Sequence, residues 1–97
     1  MLRHVVLFKL KEDAPKGTLA LLKDELGALS KSIPEIRAYD YGSDLGLRDG
    51  NFDLCLVAQF DDAEAFNRYV IHPDHQRFVS DCLTPVAADR VAVQFEV

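Results

Sequence analysis

Two segments of the chain carry apolar residues at alternate positions, and this periodicity constrains the fold more than any other feature. They are residues 52–60 and 89–97, while residues 4–10 are rich in Val, Leu and Phe and are predicted to form a strand with apolar residues on both faces. Alternation is typical of β-strands, in which successive side chains point to opposite faces of a sheet. Residues 36–43 precede a loop rich in Gly, Asp and Asn and are predicted to form a further strand. The sequence therefore predicts four strands.

A helical pattern lies between the first two strands. Its apolar positions, spaced by three and four residues, are Leu19, Leu22, Leu26, Leu29 and Ile33. This spacing predicts one amphipathic helix. Pro15 suits the first turn of that helix, and Pro34 ends it because the residue before a proline is pushed out of the helical region.

Two shorter helices are predicted between the third and fourth strands. Asp61 and Glu64 resemble a capping box with Asp in the Ser/Thr position, which begins a helix that runs through Tyr69. Pro73 lies where the first turn of a third helix would begin, and the apolar pattern continues to Val86. The chain thus closes on a helical pair followed by a strand.

The order strand, helix, strand, strand, helix, strand predicts an α+β fold. It is the split βαβ arrangement of ferredoxin-like proteins, with a four-stranded antiparallel sheet and the helices on one face. A length of 97 residues suits a single domain over residues 1–97.

The second face of this sheet is predicted to need a cover. A sheet with helices on one side is normally polar on the other, yet apolar side chains occupy both faces of the predicted strands. We expect Val6, Phe8, Leu54 and Leu56 to point to the uncovered face. In a short chain the expected cover is a second copy, so that two sheets pack face to face in a homodimer.

The net charge excludes some partners. A formal charge of −5 with no cluster of Lys or Arg argues against nucleic acid or an anionic membrane as the partner. The apolar part of the N-terminal segment is too short to be a spanning helix or a secretory signal, so we expect a cytoplasmic protein. Cys55 and Cys82 have apolar neighbours and are expected to be reduced and structural.

Strong local motifs for metal, nucleotide or hydrolase chemistry are absent, since the chain has no CxxC, HExxH, glycine-rich phosphate loop or GxSxG. The acidic residues Asp44, Asp49 and Asp53 are interpreted as a solvated face rather than a cation site. Any chemistry must come from dispersed residues, and we expect no cofactor and no metal.

The segment YVIHPDHQRF, residues 69–78, concentrates polar side chains between two helices. His72 is expected to cap the third helix or to bond the backbone across the turn. A zinc site of His72, Asp74 and His75 is disfavoured, because Pro73 works against two neighbouring imidazoles sharing a helical face. His75 lies close to the N-terminus of the third helix, where the positive end of the dipole disfavours imidazolium.

Five segments together resemble the Dabb family, the stress-responsive dimeric α/β-barrel domain. They are RHVVLFKLK, SIPEI, FDLCLVAQFDDAEAFNRY, YVIHPDHQRF and DRVAVQFE, and the resemblance spans essentially the whole chain. It implies a ferredoxin-like protomer and a homodimer whose two sheets form a barrel, in agreement with the apolar second face.

The resemblance also implies site residues. In a plant polyketide cyclase of the family, the last histidine of the His-Pro-x-His element is a general base in an aldol cyclisation, helped by the tyrosine of that element. These roles would fall on His75 and Tyr69. A small hydrophobic carbonyl compound would bind in a cleft between the helices and the sheet. The residues expected to line it are His4, Val6, Phe8, Leu22, Leu26, Leu54, Leu56 and Gln94.

One departure from the family pattern weakens this catalytic interpretation. Gln94 stands where family members often carry an Asp that supports the catalytic histidine, and an amide cannot stabilise imidazolium as a carboxylate does. His4 is either a core histidine or a ligand contact, on a face assigned to the barrel interior. Tyr69 and His75 either serve the ligand or form a hydrogen-bonded pair that closes the barrel.

Three functions therefore stay open at the level of sequence. The first is a cofactor-free cyclase or lyase that acts on a carbonyl compound. The second is a non-catalytic dimeric module for ligand binding or stress tolerance. The third is a cofactor-independent monooxygenase, which rests only on the barrel architecture shared with other families.

Overall fold

The elements follow the predicted order, and a computed structural model describes every residue from Met1 to Val97. The strands are β1 (Leu2–Leu10), β2 (Ala38–Ser43), β3 (Leu54–Phe60) and β4 (Ala87–Glu96). The helices are α1 (Thr18–Ser32), α2 (Ala63–Ile71) and α3 (Pro73–Arg77), and α3 continues into a wider π-helical turn, Phe78–Leu83. The strands form one antiparallel sheet in the order β2-β3-β1-β4. The ferredoxin-like α+β prediction is confirmed.

Helix α1 begins later than predicted. Gly17 precedes it with φ of 90°, a left-handed conformation that glycine adopts at little cost. The amide of Thr18 donates to the carbonyl of Pro15, so Pro15 lies in a turn before the helix and not in its first turn. The predicted end is confirmed, because the helix stops at Ser32 and Ile33 is already extended.

Helix α2 is capped by Asp62 and not by Asp61. The Asp62 side chain accepts a hydrogen bond from the amide of Ala65 at 2.8 Å, as an N-cap does. Asp61 instead pairs with the guanidinium of Arg37 at 2.9 Å. The predicted capping box is therefore displaced by one residue, because an arginine outside the helix engages the first of the two aspartates.

The strand register places the apolar residues of β1 and β3 on the helix-covered face. Val6 pairs with Leu56 and Phe8 with Leu54, and the side chains of Val6 and Phe8 are only 1% and 3% exposed. The prediction that these four residues point to the uncovered face is wrong, and His4 lies on the covered face with them. Because side chains alternate between the two faces of a strand, an assignment that is wrong by one position exchanges the faces for every residue.

The uncovered face is nevertheless apolar. It carries Val5, Leu7, Val57, Val91, Val93 and Phe95, which the register aligns across β1, β3 and β4. We call these six residues the open sheet face. Its β4 residues are the most exposed, with Val93 at 55% and Phe95 at 42%. No element of this chain packs against that face, and a contiguous exposed apolar patch of this kind is unusual on a monomer.

The core lies between the sheet and the helices. Fifteen buried apolar residues form one cluster there, which includes Leu22 and Leu26 from α1 and Tyr69 from α2. No helix of the chain is long and apolar enough to cross a membrane.

Candidate functional site

An apolar cleft opens between the sheet and the segment that joins α2 to the π-helical turn. It has a volume of about 250 Å³, and we call it the cleft. Its walls are His4, Val6, Phe8, Leu26, Leu56, Tyr69, His75, Phe78, Val79, Leu83 and Arg90. Eight of these 11 residues are hydrophobic, against 3 of 10 around a larger depression beside the β1–α1 connection. The cleft is thus the better candidate, since ligand sites are mostly apolar with a few placed polar groups.

The hydrogen bonding of His75, which lines the cleft, leaves one of its ring nitrogens unprotonated. Its Nδ1 lies 3.1 Å from the backbone oxygen of Val70. A carbonyl oxygen can only accept, so Nδ1 carries the proton and Nε2 keeps its lone pair. Burial lowers the pKa of His75, against the opposing effect of the Val70 hydrogen bond, and the charge of Arg90 lowers it further. The imidazole is therefore neutral at pH 7.

His4 has the opposite tautomer. Its Nδ1 lies 2.9 Å from Nε2 of Gln94, which stands directly across the β1–β4 ladder. An amide nitrogen can only donate, so Nδ1 of His4 accepts and the proton lies on Nε2. Burial lowers the pKa of His4 to about 4, and the charge of Arg90 adds to the effect. Gln94 thus orients His4, and the structure gives it no hydrogen bond to His75.

Tyr69 projects from α2 between the two histidines. Its ring centroid lies 4.4 Å from that of His75 and 6.4 Å from that of His4. Its hydroxyl shares a 2.7 Å hydrogen bond with the hydroxyl of Tyr39 on β2. Burial raises the pKa of Tyr69, so the phenol stays protonated. Tyr69 and His75 are in ring contact but are not hydrogen-bonded to each other, which differs from the alternative of a hydrogen-bonded pair.

Most of the predicted lining residues reach the cleft, and three do not. Leu22 and Leu54 are buried in the core beside it, and Gln94 acts on the cleft only through His4. The sequence interpretation missed Arg90, together with Phe78, Val79 and Leu83 of the cleft wall. Arg90 and Gln94 are four positions apart on β4, so the period of two would have placed both on one face.

His72 is the cap of α3, as predicted. Its Nδ1 accepts from the amide of Asp74 at 3.1 Å, with Pro73 in the first turn. No three His, Cys, Asp or Glu side chains lie close enough to hold a metal ion. Two of the loop aspartates have structural partners, since Asp44 accepts from the backbone amide of Gly46 and Asp53 from that of Leu10.

Comparison with known proteins identifies relatives that match most or nearly all of the chain. A Streptomyces coelicolor protein described as uncharacterised is 32% identical over 82 residues, which cover 82% of this chain and 84% of that protein. A dimeric ferredoxin-like protein of unknown function from Thermobifida fusca is 38% identical, with a TM-score of 0.90, and the match covers 99% of this chain and 90% of that one.

A more distant structure shares the fold alone. Hydroxynitrile lyase from Passiflora edulis is 20% identical with a TM-score of 0.86, and the match covers 99% of this chain and 92% of that chain.

The family model described as the stress-responsive A/B barrel domain, Dabb, matches residues 2–97. The chain belongs to the Dabb family of stress-responsive A/B barrel domains.

Proposed function

We propose that this protein binds a small hydrophobic carbonyl compound in the cleft and acts on it without a cofactor, with His75 as the general base. The observation that carries the proposal is the pair of opposite tautomers. Nε2 of His75 can accept a proton, while Nε2–H of His4 can donate a hydrogen bond, and both residues line the same apolar cleft. An unprotonated base and a hydrogen-bond donor to the carbonyl oxygen are what proton abstraction beside a carbonyl requires.

The reaction would begin at the carbon next to the substrate carbonyl. Nε2 of His75 takes a proton from that carbon, and the electron pair of the broken C–H bond forms a C=C bond as the carbonyl becomes an enolate. Hydrogen bonds from Tyr69 and His4 stabilise the oxyanion, in a site where burial strengthens them. The enolate carbon then bonds to a second carbonyl carbon, whose oxygen recovers the proton from His75.

The hydroxyl of Tyr39 supports the role of Tyr69. When Tyr39 donates to the oxygen of Tyr69, the Tyr69 proton is free to point to the substrate. Burial also raises the pKa of Tyr39, so both hydroxyls keep their protons at neutral pH.

Turnover of the His75→Ala variant tests the assignment. On a substrate found by screening aryl and alkyl carbonyl compounds, we expect kcat to fall by about 10²–10⁴-fold, the usual contribution of a positioned base. His72→Asn is the matched control, because Asn also caps helices and His72 is not a wall of the cleft. Equal activity of His75→Ala and wild type would reject His75 as the base.

A binding module without catalysis is the second candidate. It is favoured by the absence of a carboxylate among the residues of the cleft, so that nothing there stabilises the imidazolium of His75. A ligand that binds and is recovered chemically unchanged after long incubation would favour this function over the enzyme.

We further propose that the protein is a homodimer through the open sheet face. Solved relatives are dimeric ferredoxin-like proteins. The six apolar residues of that face have no cover within the chain, and a second sheet packed against them would remove them from water.

A further inference from the structure

Arg90 brings a permanent positive charge to the wall of the cleft. It pairs with Phe8 across the β1–β4 ladder and so lies on the helix-covered face of the edge strand. When both imidazoles are neutral, Arg90 is the only charged side chain among the residues that form the cleft.

The guanidinium of Arg90 has no acceptor within the chain. The ion pairs of the protein are formed by Arg37, Arg68, Arg77 and His72, and Arg90 contributes only its backbone amide, which donates to Asp89. A planar guanidinium beside apolar walls is suited to bind a carboxylate through two parallel hydrogen bonds.

The charge of Arg90 acts on every polar group of the cleft. It lowers the pKa values of His4 and His75, and it opposes the rise in the pKa of Tyr69. Arg90 lines the same cleft of about 250 Å³ as His4, Tyr69 and His75, so one small molecule can touch Arg90 and these groups together.

We propose that Arg90 determines specificity by binding a carboxylate of the substrate, so that the cleft takes small hydrophobic oxo acids rather than neutral carbonyl compounds. The inference rests on the proposed function of the cleft. The carboxylate lies on Arg90 and the carbonyl faces Tyr69 and His4. A volume of about 250 Å³ is below the common range of roughly 300–1,000 Å³, which suits a molecule smaller than a typical drug.

The negative net charge of the protein makes the positive charge of Arg90 important for the binding of an acid. At −5, the chain does not attract anions in general. Binding of an acid in the cleft is therefore favoured only by a local positive charge, and Arg90 supplies that charge there.

The test compares an acid with its neutral analogue. 3-Phenylpropanoate and 3-phenylpropanamide are titrated at pH 8 and low salt, and binding is followed by the imidazole resonances of His4 and His75, with those of His72 as internal reference. We expect wild type to bind the acid about tenfold or more tightly than the amide. Arg90→Gln should lose this preference and bind the amide as before.

Two further variants make the result specific. Arg90→Lys keeps the charge without the planar fork and should retain part of the preference for the acid. Arg48→Gln removes an exposed arginine of the β2–β3 loop and should behave as wild type.

Two outcomes would overturn the inference in distinguishable ways. If wild type binds acid and amide equally, or if Arg90→Gln keeps the preference, Arg90 does not set specificity, while the cleft stays a binding site. If neither probe moves the resonances of His4 and His75, the cleft does not take hydrophobic molecules of this class, and the proposed function fails with the inference.

Discussion

His4 and His75 have the same side chain and opposite hydrogen-bonding states because different groups hold their Nδ1 atoms. A backbone carbonyl accepts from His75, whereas the amide of Gln94 donates to His4. A carboxylate in place of Gln94 could only accept, which would move the proton of His4 to Nδ1 and remove the donor at Nε2. The glutamine at position 94 therefore directly sets the hydrogen-bonding state of His4, whereas it makes no hydrogen bond to His75.

The lowered histidine pKa values predict a loss of stability in mild acid. Burial places the pKa values of both folded-state histidines below the usual histidine value of 6.5, and that of His4 falls to about 4. The unfolded chain then binds more protons than the folded chain between these limits, so the free energy of unfolding falls as pH decreases from about 6.5 to 4. Urea unfolding at pH 7, 5.5 and 4.5 measures this slope.

His4→Gln supplies the comparison for that slope. It removes one of the two shifted groups, so its free energy of unfolding should depend less on pH over the same window. Side-chain hydrogen bonds lower the carboxyl pKa values of Asp61 and Asp74 below the usual aspartate value of 3.8, so these groups leave most of the window to the histidines. Identical slopes for wild type and variant would contradict the buried, neutral state of His4.

At the scale of elements, the segment from α2 to α3 positions three groups of the site. Helix α2 carries Tyr69, its last turn exposes the carbonyl of Val70, and α3 returns His75 onto that carbonyl. The reversal depends on His72 and Pro73, which end one helix and start the next. The sequence of His72 and Pro73 thus predicted a helix start correctly, because capping depends on residues that are neighbours in the chain.

The identity of the α2 cap predicts unequal effects of two neighbouring substitutions. Asp62→Ala removes the acceptor for the amide of Ala65 and should cost about 1 kcal/mol. Asp61→Ala removes an ion pair whose side chains are each 54% exposed, and screening by solvent makes such a surface pair contribute little to stability. Denaturant unfolding of both variants measures the two losses. A larger loss of unfolding free energy for Asp61→Ala than for Asp62→Ala would contradict Asp62 as the N-cap.

At the scale of the whole molecule, the two faces of the sheet differ in what packs against them. The covered face holds the core and the cleft, while the open sheet face is available to a second copy. All the residues that line the cleft belong to one protomer, and the open sheet face lies on the other side of the sheet from them.

A charge on the open sheet face should separate the proposed dimer. Val93 is exposed in the protomer, so Val93→Glu should fold, yet it would bury an unpaired carboxylate against a second sheet. We expect wild type to sediment as a dimer at micromolar concentration and the variant as a monomer. Leu21→Glu, on the exposed side of α1, is the control and should stay dimeric. A monomeric wild type would leave the open sheet face without its proposed partner.

The sequence by itself determined the order of the elements, the end of α1 at Pro34 and the cap formed by His72. These features depend on periodicity and on contacts between near neighbours, which the chain displays locally. Only the tertiary structure decided which sheet face the helices cover, that Arg90 reaches the cleft and which tautomer His4 adopts. The hydrogen bond between His4 and Gln94 joins residues 90 positions apart, so its effect exists only once β4 has paired with β1.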